Sequence, residues 1–116
     1  MNRVVNYAER TMFIAPPKVV TLVAATATEL LPDVVWDKQG EIAYRSVQNT
    51  GDKDVYITVG VDGVDGAPGG DATNYHHLLV PLAEFDCSNH RLRVCGYSPD
   101  GTTVATKVYY RRDLSA

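Results

Sequence analysis

The feature that most constrains this chain is its punctuation. Short runs of β-branched and aromatic residues recur from residue 19 onward, and most are closed by Gly, Pro, Asn, Asp or Ser. The runs are 19–24, 42–48, 55–61, 75–80, 83–87, 91–97 and 102–110. Val55, Ile57, Val59 and Val61 alternate with Tyr56 and Thr58, the period of a strand with one buried face. Residues 49–53 and 98–101 have turn chemistry, and Gly51 is expected to supply a positive φ. Pro81 interrupts the second half and marks an edge or a bend. The one helical stretch, 24–31, is Thr-rich and is stopped by Pro32. Seven or eight short strands at this spacing predict an all-β fold, an antiparallel sandwich or jelly-roll-like domain.

The chain of 116 residues is long enough for one such domain and too short for a second. Hydrophobic residues at 45% and charged residues at 22% exclude wholesale disorder. A net charge of -3 argues against nucleic acid or an anionic membrane as the partner. No apolar run has the length of a membrane span, and the first residues lack the apolar core of a signal peptide. Residues 1–17 differ from the rest: they are basic, carry Pro16-Pro17 and include the apolar Val4, Val5, Tyr7, Met12, Phe13 and Ile14. They read as an extended N-terminal arm ahead of a sandwich domain at 18–116. Val4, Val5, Tyr7, Arg10, Met12, Phe13 and Ile14 are its candidate partner-binding residues, because a merely solvated tail rarely carries so many apolar groups.

No catalytic set emerges. There is no nucleophile elbow and no phosphate-binding glycine loop, and Cys87 with His76 or His90 is a pairing that chance explains. The expectation is a protein that is not an enzyme, with no cofactor and no metal. Asp62, Asp65 and Asp71 sit in a Gly-rich loop over 60–74, but their spacing is not that of a calcium loop, and an exposed flexible loop accounts for them. Adjacent His76 and His77 face opposite ways on a strand; the plain expectation is one surface and one partly buried imidazole. Cys87 and Cys95 are read as free thiols of a reducing compartment, with a hairpin disulfide as the alternative. Trp36 either closes the end of the sandwich or anchors a partner, and with tyrosines such as Tyr56 and Tyr75 it would form a binding platform. Tyr109, Tyr110, Arg111 and Arg112 form an aromatic-basic cluster suited to an acidic partner surface.

Several segments in order are familiar: Ala27-Thr28-Glu29-Leu30-Leu31-Pro32, Val47-Gln48-Asn49-Thr50-Gly51, 54–60 (DVYITVG), 79–85 (LVPLAEF) and 97–105 (YSPDGTTVA). The series resembles small β-sandwich accessory structural proteins of tailed bacteriophages, which serve in capsid decoration, head fibres or tails. It departs from the pattern at Arg45, where an apolar residue is usual, and in the long 62–74 loop. The resemblance implies a virion protein assembled in the host cytoplasm. It would be a homo-oligomer, most simply a homotrimer, binding the major capsid protein as a decoration or cement protein. A tail- or fibre-associated receptor- or glycan-binding module, or a head-tail connector subunit, is the alternative.

Overall fold

A computed structural model describes residues 12–14, 16–34 and 42–111. These residues form nine strands: β1 (Met12–Ile14), β2 (Lys18–Leu22), β3 (Thr28–Leu31), β4 (Ile42–Asn49), β5 (Val55–Val59), β6 (His77–Leu79), β7 (Glu84–Asp86), β8 (Val94–Tyr97) and β9 (Thr102–Arg111). One sheet runs β2-β9-β4-β7, with β1 also paired to β9; the other runs β3-β8-β5-β6. Every pairing is antiparallel. The pairs nest: β5 with β6, β4 with β7, β3 with β8, β2 with β9. A long hairpin folded over on itself gives this order, and it is the strand order of a jelly roll. The all-β sandwich expected from the sequence is the architecture found.

The expected arm meets the sheet before Lys18. Ile14 lies opposite Tyr109 and Lys18 opposite Thr106, so the register against β9 shifts by one residue between β1 and β2. That is a one-residue bulge, and it coincides with Pro16-Pro17. Prolines donate no ladder hydrogen bond and belong at such edge irregularities. β1 and β2 therefore form one interrupted edge strand along β9.

Residues 24–31 are not helical. Ala25 takes φ 54, and Thr28–Leu31 is strand β3. The register of β3 against β8 slips between Glu29 and Leu31, so adjacent Leu30 and Leu31 are both buried. A bulge lets two consecutive side chains enter one core, which strict alternation forbids. Pro81 does mark a bend: there the chain passes from β6, the edge of one sheet, to β7, the edge of the other. Leu82 adopts φ 70 in this turn, and its N–H donates to Asn49 O at 2.8 Å.

Between the sheets pack Leu22, Leu31, Val47, Val55, Ile57, Leu79, Val94 and Val104, with Cys87 among them. Leu92, within the run 91–97, is outside the strand and 56% exposed. Arg45 is the largest fully buried side chain, at 1% exposure. Its guanidinium donates to three backbone carbonyls: Nη1 to Pro32 O at 2.8 Å, Nη2 to His90 O and Leu92 O at 2.7 Å each, and Nε to His90 O at 3.1 Å. Four of five N–H groups are thereby satisfied by carbonyl dipoles. One side chain from β4 ties the segment after β3 to the segment before β8. Burial lowers the Arg45 pKa from its ordinary value.

Asn49 plays the same part at the opposite end of β4. Its amide donates to Lys53 O at 2.6 Å and Leu79 O at 2.9 Å, and its carbonyl accepts from Gly51 N at 3.0 Å. Gly51 is not among the positive-φ residues, contrary to expectation. A Cβ there would lie 1.7 Å from Thr102 Oγ1, so glycine is required by close approach to β9 rather than by backbone conformation.

Candidate functional site

Met12, Phe13 and Ile14 lie in β1, paired to Arg111, Tyr110 and Tyr109. Val4, Val5, Tyr7, Arg10 and Trp36 lie outside the described residues. The remaining candidate features fall at three places on the sandwich.

The first is the Gly/Asp loop. It is tied down by one side chain rather than left flexible. Arg93, just before β8, donates to Gly66 O at 3.0 Å and Ala67 O at 2.9 Å, pairs with Asp62, and lies 3.7 Å from Glu29. Its own N–H donates to Asp33 Oδ1 at 2.7 Å. Asp71 is spent on a local turn, accepting from Thr73 N, Thr73 Oγ1 and Asn74 N at 2.8 Å each, and these bonds lower its pKa. Thr58, on the outer face of β5, is buried because this loop covers it, and its hydroxyl donates to Gly69 O at 2.9 Å. Among the described residues, no three His, Cys, Asp or Glu side chains converge as a metal site.

The second is the edge where β6 and β7 meet. All three histidines are exposed, which corrects the expectation of a partly buried one. Phe85 of β7 lies between two imidazoles, 4.9 Å from His77 at 24° and 5.8 Å from His90 at 21°. With Val59 and His76 they line a groove of about 420 Å³. His76 Nδ1 accepts from Val59 N at 3.0 Å, which places its proton on Nε2. Cys87 is adjacent in sequence to β7 but buried; its thiol donates to Arg45 O at 3.3 Å, and burial pushes its pKa up to about 11. A thiol buried and held neutral in this way is a poor nucleophile. Cys95 is likewise buried, with its pKa raised by burial. Both cysteines are free.

The third is the outer face of β5 and the end of the sandwich next to it. Tyr56 lies opposite Tyr97 on β8 and Leu78 on β6. Its ring contacts Tyr75 edge-on with centroids 4.8 Å apart, and Tyr97 at 6.5 Å. The structure thus gathers Tyr56 and Tyr75, singled out in the sequence, and adds Tyr97. The alternation of β5 signals the outward face of Tyr56, whereas the Tyr97 contact comes from sheet register that one sequence does not display. Beside them the β4–β5 and β8–β9 turns enclose a groove of about 270 Å³, lined by Asp52, Lys53, Asp54, Tyr56, Ser98, Pro99 and Asp100.

These observations define a class: a jelly-roll β-sandwich domain whose histidines and tyrosine cluster lie on an edge and an outer face. No protein-family model, no curated protein and no solved structure matches this chain.

Proposed function

We propose that the chain is a bacteriophage virion structural protein, a capsid decoration protein that binds the major capsid protein shell as a homotrimer. The observation that carries this reading is where the resembling segments fall. Thr28–Leu31 is β3, residues 47–51 end β4 and turn toward β5, Val55–Val59 is β5, residues 80–83 cross between sheets, and 98–101 turn into β9. Segments that are individually generic are successive working parts of one sandwich. A compact jelly roll with exposed sheet edges suits repeated binding to a shell, where weak contacts gain strength by number.

In this reading residues 1–11 lie against the shell or a neighbouring subunit, while β1 and β2 hold their base on β9. Removal of residues 1–11, sparing β1, is expected to leave the sandwich folded by circular dichroism and to abolish co-sedimentation with shells. A truncated chain that still binds shells fully would remove the arm from the account. A glycan- or receptor-binding role at a tail or fibre is the second reading, and the grouping of Tyr56, Tyr75 and Tyr97 is the observation that favours it.

A further inference from the structure

The Gly/Asp loop is fastened to the sandwich in an uneven way. Of residues 60–70 only Gly69 is buried, none belongs to the hydrophobic core, and Val64 at the tip is 83% exposed. The loop closes on itself instead. Gly63 N donates to Ala67 O at 2.7 Å, Ala67 N donates to Val64 O at 3.1 Å, and Asp62 and Pro68 form an antiparallel bridge. A segment tied mainly to itself moves as one body.

Its attachments to the sheet are polar. Among the described residues the Arg93 guanidinium supplies three, to Asp62, Gly66 O and Ala67 O, and the Thr58 hydroxyl supplies one, to Gly69 O. Arg93 is itself fixed from the other side. Its backbone N–H donates to Asp33 Oδ1, and its guanidinium lies 3.7 Å from Glu29 of β3. The latch therefore stays with the sandwich when the loop moves. Segments that bury few apolar groups and rest on polar contacts open at a lower free energy than the whole fold. The ends suit a hinge, since Gly60 takes φ 71 and Gly70 takes φ 102.

What the loop covers gives its opening a consequence. Thr58 of β5 and Cys95 of β8 are cross-strand partners, each 1% exposed. Gly69 accepts from the Thr58 hydroxyl and hydrogen-bonds Cys95 through its backbone. A Cβ on Gly70 would lie 2.3 Å from Thr58 Cγ2, so glycine lets the loop lie flat on the sheet. The next pair on the same face of these strands is Tyr56 with Tyr97. The loop thus masks the continuation of the tyrosine cluster.

We propose that residues 61–70 are a strap, latched by Arg93, that opens as a unit while the sandwich stays folded and bares Thr58 and Cys95 beside the Tyr56–Tyr97 pair. The inference rests on packing and does not depend on the virion reading. Cys95 under the strap and Cys87 in the core are built-in reporters, because only the first is uncovered when the strap lifts.

The test treats the full chain, Arg93→Ala and Gly70→Ala with a disulfide reagent and reads the rate at each thiol by peptide mass spectrometry. Arg93→Ala removes the latch. Gly70→Ala keeps the latch and pushes the strap off Thr58. In both variants Cys95 should react at least about tenfold faster than in the parent, while Cys87 stays as slow as in the parent. Low urea should leave the faster Cys95 rate nearly unchanged, because lifting a strap exposes little surface. Circular dichroism reports whether each variant is folded, and Gly70→Ala decides the matter where Arg93→Ala fails to fold. A folded variant of either kind whose Cys95 is no faster than the parent's would overturn the proposal. So would a common rate for Cys95 and Cys87 in a folded variant, which makes the exposure global.

Discussion

Arg45 shows how a single residue can look out of place and yet organise the interior. Its charge is buried with no ion pair among the described residues, and its hydrogen bonds go to the carbonyls of Pro32, His90 and Leu92. Arg45→Ala should destabilise the fold by about 2–4 kcal/mol in urea denaturation, since it leaves a cavity and three carbonyls unpaired. Arg45→Lys should recover only part of this, because an ammonium cannot reproduce the planar fork. An alanine variant as stable as the parent would show that the guanidinium is not a clamp. The cysteines give a second test at this scale. With Cys87 at about 11 and both thiols buried, neither is expected to react with a disulfide reagent at pH 8 while the protein is folded. Both should react once urea unfolds the chain, and prompt reaction of the native protein would contradict the packing described.

At the scale of elements, hydroxyl groups on strands and turns hold three carboxylates. Glu84 of β7 has its pKa lowered by the hydroxyl of Ser46 on β4, and Lys107 of β9 lies 3.5 Å away. Asp86 is lowered by Ser88, and Asp71 by Thr73. A carboxylate depressed in the folded state contributes stability above its unfolded pKa and loses it as pH falls through the folded value. The denaturation midpoint should therefore be flat near neutrality and fall as pH drops below the ordinary values of 4.5 for Glu84 and 3.8 for the two aspartates. Glu84→Gln should shallow that fall, and an unchanged acid slope would deny the Ser46–Glu84 contact its role. Gly51→Ala should cost about 1–3 kcal/mol from overpacking against Thr102, and Thr102→Ala should restore part of it.

These same elements mark what was legible beforehand. The alternation of β5 and the turn at 98–101 were readable because period and turn chemistry are local. The buried Leu30–Leu31 pair was not, since a bulge is a property of the register with β8. The turn chemistry around Gly51 points to backbone conformation, whereas the proximity of β9 is what requires glycine there. The pinning of the Gly/Asp loop by Arg93 was equally hidden, because its partners are 26 to 31 residues away in the chain.

At the scale of the whole molecule, the nested pairing makes β2, β7, β3 and β6 the outermost paired strands among the described residues and places the tyrosine cluster on the outer face of the β3-β8-β5-β6 sheet. Exposed edges are a liability that assembly can cover. The proposed homotrimer should have a solution mass about three times 12.7 kDa by light scattering, and a monomer at all concentrations would remove the trimer from the account. The central claim is a place on the shell of a virus particle. It is tested most directly by quantitative peptide mass spectrometry of purified particles, counting copies of this chain per copy of the major capsid protein. The account predicts a ratio approaching that of a shell-wide component. A handful of copies would move the protein to the tail or connector, and complete absence from the particles would contradict the virion assignment.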